Sequence, residues 1–159
     1  MTDLNPIIAD RFTEHLEVFG KTMEHMDTIQ EIAYRCKAAL DNGNKILFCG
    51  NGGSAADSQH LAAELIGRFK KERRSFAAVA LTTDTSALTA IANDYDFDAV
   101  FARQVEGLGR TGDVLIGIST SGNSKNVVKA AEMARSIGMH TIAFTGEGGG
   151  KLAELCDIT

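Results

Sequence analysis

Four short apolar runs decide what this chain can fold into. They are Lys45–Cys49, Phe76–Leu81, Asp113–Ile118 and His140–Phe144, and none shows the strict alternation of a strand with one wet face. Between them the apolar spacing changes to three and four. The periodicity predicts helices from Ser54 to about Lys70, Thr85 to Ala92, Asp98 to Leu108 and Asn123 to Ile137. A short helix over Lys151–Leu155 leads to Asp157-Ile158-Thr159, the opening of a fifth strand. Apolar strands alternating with helices require a mostly parallel sheet covered on both faces. Right-handed crossovers then make a doubly wound α/β fold, whose ligands collect beyond the carboxyl ends of the strands.

Residues 5–42 read as helix throughout. Ile8, Phe12, Leu16, Phe19, Met23 and Met26 recur at steps of three and four, and Ile29, Ile32, Ala33, Cys36 and Leu40 continue the series. Asp41-Asn42-Gly43-Asn44 stops it. So long an apolar stripe needs something to pack on, and a neighbouring subunit is the expected partner. The 159 residues suit one domain, a helical segment over 5–42 followed by an α/β core over 45–159.

A net charge of −5 argues against a nucleic-acid binder that works by general electrostatics. The one basic run, Lys70-Lys71-Glu72-Arg73-Arg74, reads as the solvated end of a helix. Three separated cysteines, the absence of a signal-like N-terminus and the absence of a spanning apolar run predict reduced thiols, no membrane contact and a cytoplasmic location.

The most informative loop is Ser119-Thr120-Ser121-Gly122-Asn123-Ser124, between a buried strand and a helix start. A phosphate needs several donors converging on a small anion. Hydroxyls on short stems, a glycine that admits backbone N–H groups and a helix first turn supply them without a lysine or arginine. A polar turn with an N-cap serine would need one hydroxyl, whereas Ser119, Thr120, Ser121 and Ser124 provide four.

Gly50-Asn51-Gly52-Gly53-Ser54-Ala55 repeats the plan after the first strand. It also fits a dinucleotide fingerprint, but the acid closing the second strand, Asp84, lies too far on for a ribose contact. In the following helix His60 and Glu64 stand four residues apart, on one side. They sit beside an apolar stripe of Ala55, Ala62, Leu65, Ile66 and Phe69, with Gly67 removing bulk on their side. A surface ion pair meets this spacing as well as two donors to one Zn²⁺ would. Asn93-Asp94 reads as a helix end and turn; His15, His25 and His140 have no partner at useful spacing.

In combination, Cys49 through Ser54, His60 through Glu64, Asn93-Asp94 and Gly117 through Ser124 resemble the sugar isomerase (SIS) domain family, and within it the phosphoheptose isomerase branch. The resemblance implies a homotetramer that converts sedoheptulose 7-phosphate to D-glycero-D-manno-heptose 7-phosphate through an enediol. It implies that Asn51, Gly52, Gly53 and Ser54 line the sugar, that Ser119, Thr120, Ser121 and Ser124 hold the phosphate, and that Asn93 and Asp94 contact sugar hydroxyls. It further implies zinc ligation by His60 and Glu64, with Glu64 also the general base. The family continues with another strand and a long helix whose glutamine and histidine complete the zinc site. A chain stopping at Thr159 is therefore expected to hold metal weakly unless that helix is supplied. A related branch binds a replication initiator without catalysis and lacks the glutamate, so Glu64 favours the enzyme.

Overall fold

The structure, a computed structural model, describes residues 4–159. Its elements alternate as the periodicity requires: α1 (Asn5–Thr22), α2 (Met26–Asp41), β1 (Ile46–Gly50), α3 (Gly53–Ile66), β2 (Ala78–Ala80), α4 (Thr85–Asp94), α5 (Val100–Leu108), β3 (Val114–Ser119), α6 (Lys125–Ile137), β4 (His140–Thr145) and α7 (Gly150–Leu155). The strands form one parallel sheet in the order β2-β1-β3-β4. A bridge between Ile142 and Ile158 begins a fifth position beside β4.

In β1 and β3 successive residues enter opposite cores, which is why these strands read as unbroken apolar runs; edge strand β2 buries Ala78 and Ala80 but leaves Val79 exposed. Leu47, Cys49, Leu115 and Ala143 pack on one face with Val105, Val127, Ala130 and Leu152. Ile46, Phe48, Ile116 and Ile142 pack on the other with Ala39, Leu40 and Ala62. Burial pushes the Cys49 thiol up to about 12, with the nearby Cys156 adding to the shift. Burial likewise raises Cys156 to about 11, so both stay protonated and unreactive at neutral pH.

At the amino edge of the sheet, Asp113 ties β1 to β3. It is 1% exposed and accepts from Lys45 N at 3.0 Å, Asn44 Nδ2 at 3.1 Å, Arg110 N at 2.8 Å and Lys45 Nζ at 2.5 Å. Burial alone would raise its pKa; the hydrogen bonds, led by Lys45, outweigh burial and hold the carboxyl below its usual range.

Three expectations are corrected. The helix over 5–42 is interrupted by a 3-10 turn at Met23–His25. The helix expected to reach Lys70 ends at Ile66, so Lys70–Arg74 is not a helix end. The cause is tertiary: the Arg73 guanidinium folds back and donates to the carbonyls of Glu64 (2.7 Å), Leu65 (2.9 Å) and Gly67 (3.3 Å), closing the last turn. Ile66 and Phe69, assigned to the buried stripe, are instead 51% and 70% exposed. Helix α1 buries no residue, and Phe12, Leu16 and Phe19 lie open along it.

Candidate active site

Strand order locates the site. β1 and β3 are neighbours, yet β1 leads into α3 on one face of the sheet while β3 leads into α6 on the other. The two exits diverge and leave a crevice at the carboxyl edge, the position where doubly wound folds bind ligands. Both loops singled out in the sequence open onto it.

The approach is close. A Cβ on Gly50 would lie 2.9 Å from the carbonyl oxygen of Ile118 and 2.7 Å from Ser54 Cβ, so only glycine permits the contact. Beyond it, Asn51 Nδ2 donates to Asn126 Oδ1 at 2.9 Å, and Asn126 Nδ2 donates to Asn51 Oδ1 at 2.8 Å. This reciprocal pair joins the glycine turn to the first turn of α6. Asn126 was missed in the sequence. An asparagine inside a predicted helix, where its propensity is poor, is the one local signal that could have marked it.

In the serine loop, Ser119 is buried and its hydroxyl donates to Ser124 Oγ at 2.9 Å, while Thr120 and Ser121 are exposed. Asn123 N donates to Ser121 Oγ at 3.2 Å. Ser124 is the N-cap residue of α6, so the helix begins at the loop. The loop is braced from behind by the glycine turn between β4 and α7. Gly146 N donates to Thr120 O (2.9 Å), Leu152 N to Gly122 O (3.1 Å) and Lys151 N to Asn123 Oδ1 (3.1 Å). Gly122 has φ +63°, and a Cβ there would lie 1.8 Å from Gly149 O.

Asn93 and Asp94 occupy the last turn of α4, exposed, with Asn93 Nδ2 donating to Asp94 Oδ1 at 2.9 Å. Among the described residues no hydrogen bond joins either to the two loops. The following stretch carries them toward α6: Asp96 pairs with Lys129 at 3.5 Å and Asp98 with Lys125 at 3.7 Å. Asp84, set aside as a ribose ligand, is the N-cap of α4 and accepts from Ala87 N at 2.9 Å.

His60 Nε2 and Glu64 Oε1 lie 3.8 Å apart, with side chains 73% and 32% exposed. The helix carries them away from the crevice. At 1.5 Å per residue Glu64 stands about 16 Å along the axis from Gly53. Its neighbour Leu65 accepts at O from Phe76 N ahead of β2, and Arg74 reaches Leu40 O ahead of β1. Glu64 therefore lies toward the amino edge. One chain brings Asn51–Ser54 and Ser119–Ser124 together but does not set Glu64 beside its own serine loop.

A family model described as SIS domain matches residues 10–146. The chain belongs to the SIS-domain family. This SIS domain is 59% identical over 152 residues to a phosphoheptose isomerase of Aliarcobacter butzleri, covering 95% of this chain and 80% of the relative. It superimposes on a phosphoheptose isomerase from Neisseria gonorrhoeae with a TM-score of 0.91 at 50% identity, covering 98% of this chain and 82% of that one. The corresponding values for a phosphoheptose isomerase from Francisella tularensis are 0.93, 37%, 99% and 82%.

Proposed function

We propose that this SIS domain is a phosphoheptose isomerase, converting sedoheptulose 7-phosphate to D-glycero-D-manno-heptose 7-phosphate. The observation that carries the reading is the juxtaposition of the Asn51 turn and the serine loop at the β1/β3 crevice, in a chain so similar to proteins bearing that name. Exposed Thr120 and Ser121, Ser124 and the first turn of α6 would hold the phosphate, with Ser119 fixing the Ser124 hydroxyl from below. Asn51, Gly52, Gly53 and Ser54 would line the sugar, and Asn93 and Asp94 would contact its hydroxyls.

In the reaction a base removes the proton beside the carbonyl, and the enediol is reprotonated at the neighbouring carbon. Glu64, half-buried and 3.8 Å from His60, is assigned that base. His60 and Glu64 fit two positions of a shared zinc ion, since donors 3.8 Å apart can both reach one centre. No cluster of three or more His, Cys, Asp or Glu donors occurs among the described residues, so these two do not close a site by themselves. Bound there, zinc would supply Lewis-acid polarisation of the carbonyl oxygen.

A homotetramer supports this chemistry. The apolar stripe of α1 has no cover within one chain, and Glu64 and the serine loop point to different edges of the sheet. Association would bury the first and let one copy's Glu64 serve another copy's crevice. Among the described residues no helix is long and apolar enough to cross a membrane, in keeping with a proposed cytoplasmic site of action.

The test is turnover of sedoheptulose 7-phosphate by wild type and Glu64→Gln. Losing a general base lowers kcat by about 10²–10⁴-fold. A wild type that stays inactive with the family's C-terminal helix supplied refutes the isomerase reading, and an active Glu64→Gln removes Glu64 from the proton transfer.

A further inference from the structure

Asn126 is given no role in the reaction above, yet it is 3% exposed and carries a carboxamide into the interior. Burying that group is unfavourable unless its hydrogen bonds are met. Here they are met by a residue 75 positions away, through two bonds exchanged in opposite directions at 2.9 and 2.8 Å. The pair has a fixed sense. Val127 N donates to Asn126 Oδ1 at 3.0 Å, so the oxygen faces that N–H and the nitrogen is presented to Asn51 Oδ1. Each carboxamide nitrogen bears two hydrogens and each oxygen two lone pairs, so half-buried Asn51 commits one of each to Asn126 and keeps one N–H and one lone pair for a ligand.

We infer that Asn126 is a positioning residue for the isomerase reaction. It holds Asn51, and with it the glycine turn after β1, in register with the serine loop after β3. The inference rests on the isomerase reading. The serine loop has its own support from the Gly146–Gly150 turn, so removing the latch releases the Asn51 side and leaves the phosphate side in place. Glu64 lies toward the other edge of the sheet and is not touched.

The experiment compares Asn126→Ala, Asn51→Ala and the double variant in the intact enzyme. Asn126→Ala raises KM for sedoheptulose 7-phosphate about tenfold with kcat within about threefold, Asn51→Ala costs at least as much because it also loses its own sugar contact, and inhibition by inorganic phosphate shifts by no more than about twofold in either. The double variant costs no more than Asn51→Ala alone, because the two residues act as one unit. A further loss of roughly tenfold in the double variant beyond Asn51→Ala, or an Asn126→Ala enzyme with lower Tm and unchanged KM, overturns the assignment. Should Asn126→Ala fail to fold, partly exposed Asn51→Ala carries the comparison with a solvent-exchange measurement on the Asn126 carboxamide by NMR. Its N–H groups are protected in wild type and lose protection in Asn51→Ala. Should the wild type with the family's C-terminal helix supplied not turn over the heptose phosphate, the isomerase reading falls and this exchange measurement alone decides the latch; an unprotected Asn126 carboxamide refutes it.

Discussion

Gly122→Ala tests how firmly the serine loop is held. The residue has φ +63°, where an L side chain costs about 1–2 kcal/mol. The larger effect is steric. A Cβ at 1.8 Å from Gly149 O and 2.4 Å from Gly149 C meets backbone, not a flexible side chain, so the loop and the turn must separate by more than 1 Å. That movement breaks the bonds from Leu152 N to Gly122 O and from Lys151 N to Asn123 Oδ1. A displacement of about 1 Å in a positioning group costs on the order of 10²-fold in rate. The expected result is a kcat/KM for sedoheptulose 7-phosphate lower by about 100-fold, with inorganic phosphate binding weakened in parallel. Gly148→Ala is the control. Its φ is +83°, but nothing lies within 4 Å of the added Cβ, so it bears the backbone strain without moving the loop. Its kcat/KM should stay within about threefold of wild type, with about 1–2 kcal/mol of stability lost. Calorimetric phosphate titration and steady-state kinetics on both variants read the difference. A Gly122→Ala enzyme as active as Gly148→Ala refutes the reasoning that the turn positions the loop.

Further outcomes follow from the same contacts. Asp113→Asn leaves the Lys45 ammonium and two backbone N–H groups without their carboxylate, costing about 3 kcal/mol, or roughly 6–12 °C in Tm by thermal denaturation. Because the folded pKa of Asp113 lies below its unfolded value of about 3.9, its contribution is present above that pH and is lost as pH falls through the folded pKa. Wild type should therefore lose its advantage over Asp113→Asn on acidification below about pH 4, and a constant gap down to pH 2 would count against it. Phe12→Asp with Phe19→Asp places charge on the open stripe of α1 and should shift the assembly to smaller species by light scattering, whereas an unchanged mass removes α1 from the interface. Arg73→Ala frees the carbonyls of Glu64 and Gly67 and should fray the end of α3, costing about 1–3 kcal/mol in denaturant unfolding; a loss within about 0.5 kcal/mol shows that water replaces the guanidinium.

What the sequence determined by itself was local in character. Four apolar runs between helical repeats require a covered parallel sheet, and period alone places Ile46–Gly50 and Val114–Ser119 within a residue of where they lie. The hydroxyl-rich string Ser119–Ser124 marks a loop ahead of a helix for the same reason: capping and turn chemistry act over a few neighbouring residues. The tertiary structure decided matters that depend on strand order. That β1 and β3 are neighbours with helices on opposite faces is what creates the crevice. The bonds between Asn51 and Asn126, and between Arg73 and the end of α3, join residues whose spacing matches no helical or strand period. His60 and Glu64 show the division most clearly. Their four-residue spacing makes them neighbours in any helix, but the direction in which α3 crosses the sheet sets them toward the edge opposite the serine loop. Helical periodicity carries no information about that direction; it follows from the need to return from the end of β1 to the start of β2.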